Sequence, residues 1–190
     1  MTAFIAGISG SPGAGSASRS RALLKLALRS LERQGVGSSR LIDLARLPAD
    51  ALLGRRQEGE VTEALQVLQG ATILVVSTPI YRATYSGLLK VFFDLLPQDA
   101  LAGKVAIPIA TGASPGHLLA VDHGLRPLLA SVGALTTATA IYGTDAQFKN
   151  GTPDAALLER TERAAEEAAT LASSLLTPST NLHQPPPLSI

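Results

Sequence analysis

The chain has 190 residues, the length of a single domain, and its composition of 46% hydrophobic and 16% charged residues excludes general disorder. It contains no cysteine and only three histidines, so neither a disulfide scaffold nor a dedicated metal site is expected. The formal net charge of +1 gives no sign of a large basic surface that would bind nucleic acid. No apolar run approaches roughly 18 residues, and the N-terminal segment MTAFIAGISG lacks the basic start of a secretory signal, so we expect a cytoplasmic protein without a membrane partner.

Apolar runs alternate with segments of helical spacing along the chain. Continuous apolar runs such as TILVVS are typical of parallel strands that are buried on both faces. The alternation predicts an α/β protein, a flavodoxin-like three-layer sandwich with a five-stranded parallel sheet in the order 2-1-3-4-5. Pro108 removes a backbone donor from the fourth strand and indicates a local irregularity there. The predicted strands are 3–8, 38–44, 72–77, 104–110 and 134–141, and the predicted helices are 19–31, 62–69, 88–96, 117–132 and 153–176.

The last segment of the chain differs in composition from the rest. Residues 177–190 are rich in proline and serine and include the run PPP, which is typical of a disordered tail. A polyproline ligand is the alternative interpretation of that run. We therefore predict one domain over residues 1–176, followed by the tail.

Three loops follow the carboxyl ends of the predicted strands, where ligands of open α/β sheets bind. The first, at 9–18, is rich in glycine and serine and leads into a helix N-terminus, which predicts an anion site. The others, at 78–87 and 111–116, would border the same crevice. The polar groups of the first loop that can bind a phosphate are the hydroxyls of Ser11, Ser18 and Ser20 and the guanidinium of Arg19.

The first loop favours a mononucleotide over a dinucleotide. A hydroxyl-rich loop suits a terminal monophosphate, whereas a bare glycine turn suits a pyrophosphate that passes close to the backbone. The loop also lacks the lysine of a Walker motif and the third glycine or alanine of the dinucleotide fingerprint. Asp43, at the end of the second predicted strand, could still hold a ribose as that fingerprint requires. A flexible glycine–serine turn without a ligand is the remaining alternative.

The other two loops contain groups suited to a ring system. Pro79 stiffens the exit from the third strand, and Tyr81 offers a flat amphipathic surface. Tyr81 and Tyr85 could instead only pack against the next helix, whose N-terminus Ser86 can cap. The small residues of 111–116 would bring backbone amides close to a ring edge.

The segment TPIYRATYSGLLKVFFDLLPQDALAGKVAIPIATG at 78–112 resembles the NAD(P)H-dependent FMN reductases, in particular the reductase components of alkanesulfonate and methanesulfonate two-component monooxygenase systems. SRS at 18–20 and HLLAVDHGLRPLLASVGA at 117–134 extend the resemblance. It implies a flavodoxin-like fold and the reduction of FMN by NADPH or NADH. It also implies that reduced flavin passes to a partner flavin-dependent monooxygenase in organosulfur metabolism.

The resemblance also implies roles for individual residues. Because hydride transfer to a flavin depends on positioning rather than on proton transfer, no catalytic acid or base is expected. Ala113 stands where relatives often have a second glycine. The flavin phosphate would be bound by Ser18, Arg19 and Ser20, the isoalloxazine would lie along Pro79, Ile80 and Tyr81, and its other edge would meet Thr111, Gly112 and Ala113.

The same resemblance implies a homotetramer built as a dimer of dimers. Relatives carry a tyrosine insertion that creates a π-helix at the tetramer interface, and His123 stands at the matching position in the predicted helix 117–132. We expect the π-helical turn to be kept, with the imidazole in place of the phenol. Neither His117 nor His123 has an aspartate or serine partner in a triad arrangement, so both are expected to be partly buried, hydrogen-bonded side chains.

Two other functions fit the same fold. One is a reductase of quinones or azo dyes that keeps its FMN bound. The other is a non-enzymatic flavodoxin-like electron carrier, although such carriers are usually strongly acidic and this chain has a net charge of +1.

Overall fold

The computed structural model describes residues 4–13, 18–57 and 59–176. The predicted tail at 177–190 lies outside these residues. The strands are β1 (Ile5–Ser9), β2 (Ser39–Asp43), β3 (Ile73–Tyr81), β4 (Thr84–Tyr85), β5 (Val105–Gly112), β6 (Leu135–Thr136), β7 (Ile141–Thr144), β8 (Phe148–Lys149) and β9 (Thr152–Pro153). The helices are α1 (Arg19–Arg33), α2 (Ala49–Leu52), α3 (Gly59–Gly70), α4 (Gly87–Phe93), α5 (Arg126–Ser131) and α6 (Ala155–Leu176).

The main sheet has the strand order β2-β1-β3-β5-β6, and β7 continues beside β5 after β6 ends. Every pairing along this order is parallel. The fourth predicted strand is β5, and β6 and β7 together occupy the place of the fifth. The observed order therefore corresponds to the predicted 2-1-3-4-5. The flavodoxin-like fold is therefore confirmed.

Helices cover both faces of the sheet. Successive residues of β3 alternate between the two cores: Val75 packs with α1 and α6, and Val76 packs with α3, α4 and α5. Both valines are fully buried, as an apolar strand between two helical layers requires. Among the described residues, no helix is long and apolar enough to cross a membrane.

Pro108 lies opposite an interruption of the last strand, so the continuous strand predicted at 134–141 is wrong in its middle. β5 pairs with both β6 and β7, which are separated by residues 137–140. The backbone nitrogen of Val105 donates towards β3, to the carbonyl of Thr72 at 3.2 Å. Because the hydrogen-bonding direction alternates along a strand, the nitrogen of Pro108 faces the interrupted strand and needs no acceptor there.

A glutamate from α6 replaces the missing ladder partners in this interruption. The carboxylate of Glu167 accepts hydrogen bonds from the backbone nitrogens of Ala138 and Thr139. Burial alone would raise the pKa of Glu167, but the hydrogen bonds from Thr139 and Ala138 outweigh burial and hold that pKa below its ordinary value. The stabilisation is therefore full above the pKa of an unfolded glutamate and is lost as the pH falls through the lower, folded pKa.

The helix predicted at 117–132 is divided. A 3₁₀ turn covers Pro115–His117, and a π-helical turn covers Val121–Leu125 and ends where the backbone nitrogen of Arg126 donates to the carbonyl of Val121. Pro127 follows and has no N–H to donate to the carbonyl four residues earlier, which disfavours a regular helix. The expectation of a π-helical turn containing His123 is confirmed.

The expectation that the two histidines are partly buried is wrong. His117 and His123 are both exposed, whereas Val121 and Leu125 of the same segment are buried.

Candidate functional site

The loops after β1, β3 and β5 meet in one cleft at the carboxyl edge of the sheet. The cleft has a volume of about 620 Å³, a size typical of small-molecule sites. All ten residues predicted to bind the flavin line it, together with Gly13 and Asp145, which were not among them. The lining residues are Ser11, Gly13, Ser18, Arg19, Ser20, Pro79, Ile80, Tyr81, Thr111, Gly112, Ala113 and Asp145.

One end of the cleft is rich in hydrogen-bond donors. Ser18 caps α1, since its hydroxyl accepts from the backbone nitrogen of Arg21 at 3.3 Å, and it lies 3.2 Å from the hydroxyl of Ser20. The first turn of α1 contains no acidic residue, so the positive end of the helix is not offset by a side chain of that turn. The guanidinium of Arg19 pairs with Asp145 across this end of the cleft, with Nη1 and Oδ1 2.6 Å apart.

The second loop is shorter than the predicted 78–87. β3 continues to Tyr81 and turns into β4 through Arg82 and Ala83, both in the left-handed region with φ of 51° and 67°. A tight hairpin of this kind normally uses glycine or asparagine, so the local sequence gave no signal for it. Tyr81 is 53% exposed on the cleft wall, whereas Tyr85 is half-buried against the core. Of the two tyrosines, only Tyr81 is placed to contact a ligand.

Ser86 ties the first two loops together. Its hydroxyl donates to the carbonyl of Gly10 at 2.6 Å and accepts from the backbone nitrogen of Leu89 at 3.1 Å. Its own backbone nitrogen donates to the hydroxyl of Thr78. The predicted cap on α4 is confirmed. The bond to Gly10 was missed because it joins residues 76 positions apart.

The third loop is held by a tyrosine from β7. The hydroxyl of Tyr142 donates to the carbonyl of Ser114 at 2.7 Å. A Cβ at Gly112 would lie 2.3 Å from that hydroxyl oxygen, so glycine leaves room for the tyrosine. Burial, and next the charge of Asp145, raise the pKa of Tyr142, so this phenol stays protonated and remains a donor.

Asp43 does not reach this cleft. Its carboxylate pairs with Arg21 at 2.8 Å, and Arg21 also donates to the hydroxyl of Ser9 at 3.2 Å. Asp43 lines a separate cavity of about 520 Å³ along the edge strand β2. The interpretation of Asp43 as a ribose ligand beside the first loop is therefore not supported. The dinucleotide alternative thus lacks the acidic residue that would bind the ribose.

The cleft has the chemistry that a phosphorylated ring compound requires. One end carries hydroxyls, a guanidinium and a helix N-terminus, which suit a phosphate. The rest is bordered by Pro79 and Tyr81 on one side and by the backbone of 111–113 on the other, which suits a flat ring. Fold and cleft together define a flavodoxin-like α/β protein whose donor set and walls fit a flavin mononucleotide.

Comparison with known proteins gives the family. The model of the NADPH-dependent FMN reductase family matches residues 4–149. An FMN reductase (NADPH) of Pseudomonas putida strain KT2440 is 39% identical over 162 residues, which cover 84% of this chain and 81% of that protein. The NADH-dependent FMN reductase SfnE of Pseudomonas putida is 36% identical over 158 residues, with 81% and 85% covered. The apo crystal structure of an NADH:FMN oxidoreductase (EMOB) superposes with a TM-score of 0.82 at 38% identity, with 94% of each chain covered.

The chain belongs to the NADPH-dependent FMN reductase family. It is an oxidoreductase that uses FMN together with NADPH or NADH. The enzymatic interpretation is thus confirmed over that of a non-enzymatic electron carrier.

Proposed function

We propose that the cleft holds FMN with its phosphate at the N-terminus of α1 and its ring between the second and third loops. The observation that carries this proposal is that all the residues predicted for the cofactor, from loops far apart in sequence, line one cleft. Ser11, Ser18, Arg19 and Ser20 bind the phosphate. Pro79, Ile80 and Tyr81 lie along the isoalloxazine, and Thr111, Gly112 and Ala113 border its other edge.

Bound FMN supplies the acceptor for a hydride from the nicotinamide. The residues of this chain have the task of orienting the two ring systems. The bond from Ser86 to Gly10 and the bond from Tyr142 to Ser114 hold the loops in place. No side chain of the cleft is assigned as an acid or a base.

The reduced flavin, in this proposal, leaves the protein and serves a partner flavin-dependent monooxygenase of sulfonate metabolism. One feature supports release. The wall formed by Tyr81 is 53% exposed, so a flavin lying against it is accessible to solvent. The partner and the sulfonate substrate rest on the resemblance of the segment 78–112 to reductases of two-component systems.

An anaerobic titration tests whether FMN is an exchangeable substrate. With NADPH in excess and FMN at about twenty equivalents per subunit, the flavin absorbance at 450 nm is expected to bleach completely, because each reduced FMN is replaced by an oxidised one. NADH is tested in parallel. Bleaching that stops at one equivalent, with rapid turnover of an added quinone, would contradict release and identify a reductase that keeps its FMN bound.

The π-helical turn is proposed to form the contact between subunits of a homotetramer. Leu118 and Leu119, just before the turn, are 50% and 60% exposed. Together with His123 they form an exposed, partly apolar surface, which is typical of an interaction site.

Replacing Leu119 with aspartate is expected to convert tetramers to smaller species, because it places a charge within that contact. Sedimentation velocity measures the result. Leu53→Asp is the matched control, since Leu53, the C-cap residue of α2, is 54% exposed, and it should leave the tetramer intact. A monomeric wild-type protein, or a tetramer unchanged by Leu119→Asp, would contradict the proposed interface.

A further inference from the structure

An ion pair crosses the end of the cleft where the phosphate is proposed to bind. Arg19 is the first residue of α1, and Asp145 begins the 3₁₀ turn after β7. Their side chains are 2.6 Å apart and 40% and 46% exposed. Both line the cleft with the hydroxyls of Ser18 and Ser20. A carboxylate therefore stands among the groups that would bind a phosphate.

The carboxylate of Asp145 opposes phosphate binding in two ways. It occupies part of the guanidinium of Arg19 and neutralises its charge, which reduces what Arg19 offers to a second anion. It also repels a doubly charged phosphate directly, since both lie within one Debye length at physiological ionic strength. An asparagine at this position would remove both effects at nearly the same volume.

The fold does not need the charge of Asp145. The 3₁₀ turn is held by Thr144, whose backbone nitrogen and hydroxyl both pair with the side chain of Gln147. It is also held by the backbone bond from Asp154 to the carbonyl of Gln147 at 2.8 Å. An ion pair as exposed as that of Arg19 and Asp145 contributes little to stability.

We propose that Asp145 is a positioning residue that weakens the binding of the flavin phosphate and thereby keeps FMN exchangeable. The proposal rests on the proposed FMN site. It assigns to one side chain the property that a reductase exporting its flavin requires, namely an affinity low enough for release. The effect acts on the phosphate and not on the ring.

The test compares the affinities of Asp145→Asn and the wild type for FMN and riboflavin, by quenching of flavin fluorescence at low ionic strength. The variant is expected to bind FMN about tenfold tighter, on the scale of a close charge pair, and riboflavin with unchanged affinity because riboflavin has no phosphate. In stopped-flow experiments the gain should appear as slower dissociation of FMN. At about 0.5 M salt the difference should shrink, because the charges are screened.

Two further variants make the outcome specific. Glu162→Gln removes an acidic partner from Arg33, at the other end of α1, about 20 Å away by helix geometry, and should leave FMN affinity unchanged. Ser20→Ala removes a buried hydroxyl from the cleft and should weaken FMN but not riboflavin.

The two possible failures are distinguishable. If Ser20→Ala weakens FMN binding but Asp145→Asn leaves it unchanged or weaker, the role of Asp145 is overturned and the FMN site stands. If the wild type does not bind FMN, or Ser20→Ala has no effect on it, the proposed site is overturned and the role of Asp145 with it. Equal tightening of FMN and riboflavin would also overturn the role, because it would place the effect at the ring.

Discussion

Replacing Arg21 with methionine is expected to lower the free energy of unfolding by about 3 kcal/mol. The side chains of Arg21 and Asp43 are only 8% and 13% exposed, and their charges lie 2.8 Å apart. Arg21 also holds the hydroxyl of Ser9 at the end of β1. Removing the guanidinium leaves a largely buried carboxylate whose remaining ion pair, among the described residues, is with Arg46, which lies 3.5 Å away and is itself 78% exposed. The expected loss is at the low end for a buried pair because Arg46 remains.

Urea denaturation followed by far-ultraviolet circular dichroism measures this loss. Arg33→Met, which breaks an exposed ion pair on the same helix, is the matched control and should cost less than about 1 kcal/mol. The double variant Arg21→Met/Asp43→Leu should recover much of the loss, because the charge that then loses its partner is the exposed one of Arg46 and not a buried one. Equal costs for Arg21→Met and Arg33→Met would show that the Arg21–Asp43 pair behaves as a surface contact.

The sequence allowed the architecture and the components of the cleft to be predicted. The strand residues 73–76 form a continuous apolar run, and such runs between helical segments permit few topologies. Once the sheet is parallel, the ends of β1, β3 and β5 must lie at one edge, so the loops that contain Ser20, Tyr81 and Gly112 could be placed together without coordinates.

What the sequence could not provide are contacts that depend on register. The interruption at 137–140 falls within a segment of ordinary strand composition, and only the register of the pairing shows that it lies opposite Pro108. Asp145 and Tyr142 lie about thirty residues or more beyond the loops they contact, and no local pattern marks them as partners of Arg19 and Ser114. We expect these long-range partners to adjust the strength of FMN binding, whereas the local motifs predict which kind of ligand is bound.

Replacing Gly112 with alanine is expected to remove most FMN binding and to lower the free energy of unfolding by about 2–4 kcal/mol, which combines overpacking with a lost buried hydrogen bond. The added Cβ would lie 2.3 Å from the hydroxyl oxygen of Tyr142, and Tyr142 is only 8% exposed. The ring would have to move, its bond to Ser114 would break, and the wall at 111–116 would shift. FMN titration and urea denaturation measure the two effects.

A second substitution tests this cause directly. Tyr142→Phe alone loses the bond to Ser114, at a cost of about 1 kcal/mol. In the double variant Gly112→Ala/Tyr142→Phe, the nearest remaining atom is the ring carbon Cζ at 3.3 Å, which needs to move by only a few tenths of an ångström. The double variant should therefore be more stable than Gly112→Ala, although it carries two substitutions that each destabilise the wild type.

Gly70→Ala is the control for the glycine change itself. Among the described residues, nothing lies within 4 Å of a Cβ at Gly70, which is in α3, so that variant should be as stable as the wild type or slightly more stable. If Tyr142→Phe fails to relieve Gly112→Ala, the requirement for glycine comes from the backbone and not from the tyrosine. If the double variant regains both stability and FMN affinity relative to Gly112→Ala, the position of Tyr142 is what couples the third loop to the flavin.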